Sequence, residues 1–306
     1  MHISVVSIGK SVASTSLAVG LASVLHDRRN GSVLIELDPS GGDLAAMWGV
    51  SGVIGTTNLI GAIAVEELLS PSILEDVALA SPFGFPVVVS HPAGGTVADK
   101  VCADLGGRYG RVLAAGTSSV VCDAGRWRSG EPAASRVSGA SVIVALFTPD
   151  PGGVTRVVSE LGQLRLAAPR VPILLVVVGE NPYPAHEIEA ALGGGRVLVL
   201  ASQRDVVRAF VTGNGTSRQV NKLKKSLWWR SLMRLLVDIE RATGIELPKT
   251  KLNERPAERP RRRRLGHIKT TSMEQTATEV AVKLSEQVPE VSPLLGNRSE
   301  PAVTNG

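Results

Sequence analysis

Seven short runs of Val, Ile and Leu recur along this chain with helical patterns between them, and that alternation most restricts what it can fold into. The runs fall near 2–6, 33–37, 86–90, 118–122, 141–147, 172–178 and 196–200. Most are continuously apolar rather than alternating, as in strands buried on both faces of a parallel sheet. Helices are predicted near 15–26, 43–48, 66–70, 97–104, 153–166, 185–192, 204–211 and 217–243. β and α segments at this spacing imply an α/β fold with a doubly wound, mostly parallel sheet. Hydrophobic residues make up 43% of the chain and aromatics only 3%, so aliphatic side chains must fill the core. Pro248 closes the packed region, giving a domain over 1–247. The tail over 248–306 is rich in Pro, Glu, Arg, Thr and Ser and is expected to be disordered, with one weak helical pattern near 273–287.

Composition narrows the class further. Apolar runs such as Ile173–Val178 are too short to span a bilayer. The N-terminus shows no basic region followed by an apolar stretch and a cleavage site, so no signal peptide is expected. Cys102 and Cys122 are the only cysteines, which suits a reducing, cytoplasmic compartment. No Cys/His cluster has metal-ligand spacing. The net charge of +5 is uneven: residues 248–306 hold 11 Lys/Arg against 7 Asp/Glu, whereas residues 1–247 hold 22 against 21. The basic balance therefore belongs to the tail and does not make the folded part a nucleic-acid binder.

The first strand, 2–6, runs through Ser7–Ser16 into an apolar helix that begins at Leu17. A strand, a loop of small residues and a helix N-terminus bring backbone N–H groups together at a place suited to an anion. The phosphate-loop pattern GxxxxGK[ST] is absent. Gly9-Lys10-Ser11 imitates its end, but the opening glycine would then be Ser4, inside the strand, where the chain has no room to turn. The workable register places the loop at 9–16. A tight strand-to-helix connection without a ligand accounts for the same residues. Two further strands end in acids. Val33-Leu34-Ile35-Glu36-Leu37-Asp38 leads into Pro39-Ser40-Gly41-Gly42, which is also ordinary turn chemistry. Ser119-Val120-Val121-Cys122-Asp123 leads into Ala124-Gly125.

In that register and order the chain resembles the MinD/ParA family of deviant Walker P-loop ATPases, whose loop reads KGGxGKT[ST]. Gly9-Lys10-Ser11-Val12-Ala13-Ser14-Thr15-Ser16 lies on that pattern. Gly9 falls on the family's signature lysine, Ser14 on its second lysine and Ala13 on its last glycine, so the loop is a degenerate one without either lysine. Lys10 stands one residue from the signature site, with a different side-chain direction. The segment Asp38-Pro39-Ser40-Gly41-Gly42-Asp43-Leu44-Ala45 resembles the actinobacterial MinD-like type. The resemblance implies a P-loop NTPase fold that binds ATP and Mg²⁺. Gly9, Lys10, Ser11, Val12, Ala13, Ser14, Thr15 and Ser16 would hold the nucleotide, and Thr15 and Asp123 the metal. Glu36 and Asp38 take the places of the family's Asp-x-Asp, and Asp38 would be the catalytic carboxylate that orients water. Loss of both lysines removes the charges that neutralise the β- and γ-phosphates during transfer, so hydrolysis is expected to be weak or absent. Softer matches are Thr148-Pro149-Asp150 after the fifth strand, Gly179 or Asn181 at the adenine-reading place, and Gln203-Arg204-Asp205 over the base.

The family's work is partitioning, positioning or assembly of a larger machine, which implies a protein partner in a partitioning or secretion apparatus and a homodimer. Gly9 removes the lysine that such dimers insert across their interface. A pseudo-ATPase scaffold that binds protein partners without turnover is the alternative, and a non-specific DNA-binding partition protein is a second one. Residues 217–237 carry Arg218, Lys222, Lys224, Lys225, Arg230 and Arg234 with no acid, beside Leu223, Leu227, Trp228, Trp229, Met233 and Leu236. That segment reads as a membrane-surface helix on anionic lipid, as a DNA phosphate contact, or as the domain's closing helix with its charges in water. The fold's need for a last helix favours the third reading. Arg261–Arg264 could grip DNA, anionic membrane or an acidic partner, or be a solvated linker. The expected location is cytoplasmic, peripheral at the membrane or nucleoid.

Overall fold

Eight strands form a sheet in the order β3-β4-β2-β5-β1-β6-β7-β8. They are β1 (His2–Ile8), β2 (Ser32–Glu36), β3 (Leu79–Ala80), β4 (Pro86–Val88), β5 (Ser119–Trp127), β6 (Val142–Phe147), β7 (Ile173–Val178) and β8 (Val197–Leu200). The computed structural model describes residues 1–9, 13–28, 31–49, 55–90, 94–116, 119–178, 183–202, 207–208, 211–213 and 217–246. Every pairing is parallel except that of the short edge strand β3 with β4. The seven runs read from the sequence are β1, β2 and β4–β8, in a doubly wound, mostly parallel α/β sheet. Lys10, Ser11, Val12, Gly179, Asn181, Gln203, Arg204, Asp205 and the tail over 248–306, with Arg261–Arg264, lie outside the described residues.

The continuous apolar character of the strands has a direct cause: both faces are covered. Ile3 and Val5 of β1 point to one face, under α1 (Ser14–Asp27) and the last helix, whereas Val6 and Ile8 point to the other. The described helices between are α2 (Leu44–Met47), α3 (Thr56–Glu66), α4 (Pro71–Val77), α5 (Thr96–Ala103), α6 (Gly110–Ala115), α7 (Pro151–Ala167), α8 (Ala185–Ala191), α9 (Ser217–Lys224) and α10 (Leu227–Thr243). Leu59 and Ile63 of α3 and Val157, Leu161 and Leu164 of α7 pack on the Val6 face.

Three local readings change. The helix expected near 66–70 is a joint between α3 and α4. Glu67 takes a left-handed conformation there, φ 53°, and the Ser70 hydroxyl accepts from the Ile73 N–H at 3.2 Å to start α4 at Pro71. The helix expected over 217–243 is two, because Ser226 caps a fresh N-terminus by accepting from Trp229 N–H at 3.1 Å. β5 does not end at Asp123 but continues to Trp127.

Burial decides how the basic helix is used. Trp228, Trp229, Leu232, Leu235, Leu236 and Ile239 are buried against α1 and the sheet, and Gly20 of α1 leaves room for the Trp228 ring. Each such side chain contributes about 1.5–3 kcal/mol by leaving water. A membrane-surface helix would keep that stripe free for lipid; here it closes the domain. Lys222, Lys224, Lys225, Arg230 and Arg234 stay at the surface, with Lys224 paired to Asp27 at 2.5 Å. No helix among the described residues is long and apolar enough to cross a membrane.

Candidate functional site

The order β2-β5-β1 places the C-terminal ends of three central strands side by side. Open α/β sheets bind their ligands at such an edge. The loop after β1 starts at Gly9, φ 89°, and re-enters the described chain at Ala13, φ 49° and ψ 22°. Ala13 thus holds a left-handed conformation at the start of α1, and its carbonyl accepts from Leu17 N–H at 2.9 Å. That geometry costs an alanine about 1–2 kcal/mol and a glycine far less. Ala13→Gly is therefore expected to stabilise the protein by about 0.5–1 kcal/mol after the added unfolded-state entropy is subtracted. Denaturant unfolding reads this directly, and a loss of stability would show that Ala13 is not strained.

Ser14 and Thr15, at the first turn of α1, lie near enough to Asp123 for their hydroxyls to lower its pKa. Asp123 lies on β5 opposite Val5 of β1, and it is only 2% exposed. Burial raises its pKa to about 6, the nearby Thr15 hydroxyl opposes that, the Asp38 charge adds to it, and the Gly125 N–H and the Ser14 hydroxyl oppose it. The carboxylate is thus ionised near neutral pH and accepts the Gly125 N–H at 3.2 Å. Beyond Asp123 the register with β1 slips: Val5 faces Asp123 but Ser7 faces Arg126. Ala124 and Gly125 form the resulting bulge, with Gly125 at φ 61°.

Asp38 follows β2 across that bulge. Its carboxylate lies so close over Gly125 that any side chain there would overlap it. Asp38 Oδ1 also accepts from Ser40 N–H at 2.9 Å, which fixes the turn through Pro39. Thr15, Asp38 and Asp123 therefore meet at one rim. Ser14, read as standing at a lysine position, is buried and turned inward to Asp123.

Glu36 does something the sequence did not reveal. It is 2% exposed and directly opposite Asp123 in the β2–β5 register. Its Oε1 accepts from Asp43 N–H at 3.0 Å and Leu44 N–H at 2.9 Å, and its Oε2 from Ser90 N–H at 3.0 Å. It fastens the start of α2 and the end of β4 to β2. Burial raises its pKa to about 7, the three N–H donors hold it down and Asp123 pushes it up.

Arg136 was also missed. It is fully buried, in the 3-10 turn Pro132–Val137. Nε donates to the Ala124 carbonyl at 2.9 Å, Nη2 to the Arg126 carbonyl at 2.6 Å and Nη1 to the Ala133 carbonyl at 2.8 Å, with Glu131 Oε2 3.4 Å away. It pins both sides of Gly125. No spacing in the sequence could announce it, because its partners are backbone carbonyls. A second arginine, Arg156 of α7, lies across Gly9.

No protein-family model and no curated protein matches the sequence. Solved structures do. A ParA family ATPase from Chlorobium tepidum superposes with a TM-score of 0.58 at 15% identity, over 77% of this chain and 98% of that one. MinD from Pyrococcus horikoshii, solved with Mg-ADP, gives 0.53 at 17% identity, over 79% and 97%. A Cyanothece McdA variant in complex with ATP gives 0.55 at 13% identity, over 80% and 96%. The resemblance read from the sequence thus holds at the level of fold: the chain has the architecture of the MinD/ParA ATPases.

Proposed function

We propose that this chain, folded as a MinD/ParA ATPase, binds ATP and Mg²⁺ over residues 9–16 and turns the nucleotide over slowly or not at all, within a partitioning, positioning or assembly machine. The observation that carries the reading is the junction of Thr15 and Asp123, with Asp38 beside them over Gly125. A hydroxyl and an ionised carboxylate are hard oxygen donors, the set that suits Mg²⁺. Thr15 and Asp123 would hold the ion, which supplies charge neutralisation for phosphate oxygens. Asp38 would orient a water. The MinD and McdA structures with Mg-ADP and ATP support this by likeness of fold. Gly9 and Ser14, at the places of two lysines, are the reason for slow turnover.

Titration calorimetry with Mg·ATP and Mg·ADP tests the reading. The wild type is expected to bind both. Thr15→Ala should weaken Mg·ATP at least tenfold, the loss of one oxygen held against a charge, with little change when Mg²⁺ is chelated. Phosphate release should stay near background. An absence of heat from the wild type would overturn the proposal.

A specific observation favours a second reading, the scaffold that does not cycle. Glu36 fastens the segment after Asp38, and Arg136 pins the one after Asp123. Those two segments follow the acids that flank the site, and both are braced from within the fold. A partner-binding scaffold needs no motion in them. A DNA-binding partition role would rest on the exposed lysines and arginines of α9 and α10, and would show an affinity that falls steeply with salt.

A further inference from the structure

Gly9 has no side chain, and the space beside it is filled from another element. A Cβ built on Gly9 would lie 2.7 Å from Cδ, 3.3 Å from Nε and 3.7 Å from Cγ of Arg156. Gly9 also sits at φ 89°, where a substituted residue is strained. With Arg156 in this position, a side chain at position 9 would overlap its stem. Arg156 reaches this place because α7 follows β6, which pairs directly with β1. Its backbone carbonyl accepts from the Ser159 hydroxyl at 2.9 Å. Among the described residues, no carboxylate pairs with its guanidinium. The N-terminus of α7 is a separate matter, since Asp150 Oδ1 already accepts from Gly153 N–H there at 2.8 Å.

A long cation lies over a glycine beside an anion-suited loop, and among the described residues no carboxylate pairs with it. We propose that Arg156 supplies from α7 a positive charge beside Gly9, which stands where the resembling loops carry a lysine, and that it reaches the β- and γ-phosphates of a nucleotide bound beside Gly9, Thr15 and Asp123. This rests on the nucleotide-binding reading above. An arginine suits the task because its planar fork donates two parallel N–H groups to phosphate oxygens.

The test uses the full chain, with calorimetric titration of AMP, Mg·ADP and Mg·ATP. Arg156→Ala is expected to bind Mg·ATP and Mg·ADP ten- to a hundredfold more weakly, as loss of a charge-assisted pair does. AMP, which lacks those phosphates, should change less than twofold. Arg156→Lys should recover part of the loss. Arg165→Ala, farther along α7 and exposed, should bind as the wild type. Thermal melts without nucleotide confirm that each variant is folded. Wild-type affinity in Arg156→Ala, or an equal loss for AMP, overturns the role of Arg156 while Thr15→Ala still reports on the site. No binding by the wild type overturns the nucleotide reading and this inference with it.

Discussion

Arg136→Ala is expected to cost about 3–5 kcal/mol of folding stability, as breaking a buried charged network does. Guanidinium-chloride unfolding of wild type and variant measures it. Arg136 is 0% exposed, and each of its three guanidinium nitrogens donates at least one hydrogen bond. Truncation leaves the Ala124 and Arg126 carbonyls buried without a partner and opens a cavity the size of the side chain. A domain that is stable by only about 5–15 kcal/mol would lose a large share of that. Arg136→Lys should not recover it, because a single ammonium cannot face carbonyls on both sides of Gly125. Burial lowers the Arg136 pKa below its ordinary value, with Glu131 opposing. A cost below about 1 kcal/mol in Arg136→Ala would mean that water replaces the side chain at those carbonyls.

The contrast between Arg136 and the strands shows what a sequence can disclose. A strand buried on both faces must be apolar along its whole length, so β1, β2 and β4–β8 announce themselves in consecutive residues. β3 is two residues long and pairs at an edge, so it leaves no pattern to read. The helix α3 is hidden by its composition: Thr-Thr-Asn-Leu-Ile-Gly-Ala-Ile-Ala-Val has small or apolar residues almost throughout, and no period of 3.6 stands out. At the site, Thr15, Asp38 and Asp123 could be singled out because Asp38 and Asp123 each close an apolar run and Thr15 precedes one, a local pattern visible in consecutive residues. Glu36 was read as one of an acidic pair, yet its work is decided by the N–H groups of Asp43, Leu44 and Ser90, which only folding brings to it. Arg156 meets Gly9 from the far side of β6, and nothing local marks either residue for the other.

Glu36 also gives the second large effect, a dependence of stability on pH. Its folded-state pKa is raised to about 7 from 4.5, first by burial, so the folded state binds the proton more tightly than the unfolded chain does. The stability that follows is fully present below about pH 4.5 and is lost as pH rises through about 7. A shift of that size corresponds to about 3 kcal/mol. Asp123, raised to about 6 from 3.8, acts in the same direction at somewhat lower pH. Wild type alone therefore cannot isolate Glu36; the difference from Glu36→Gln can. Glutamine keeps one oxygen for Asp43 and Leu44 N–H, turns its amide toward Ser90 N–H, and carries no charge to lose. Near pH 5 the wild type is expected to be the more stable, because its protonated carboxyl still accepts bonds that the amide cannot. As pH rises to 8 that advantage should shrink by about 3 kcal/mol, to parity or beyond. Urea unfolding at half-unit pH steps, with ionic strength fixed, follows the difference. Parallel curves for the two proteins would mean that Glu36 keeps an ordinary pKa, and that its three N–H donors outweigh its burial.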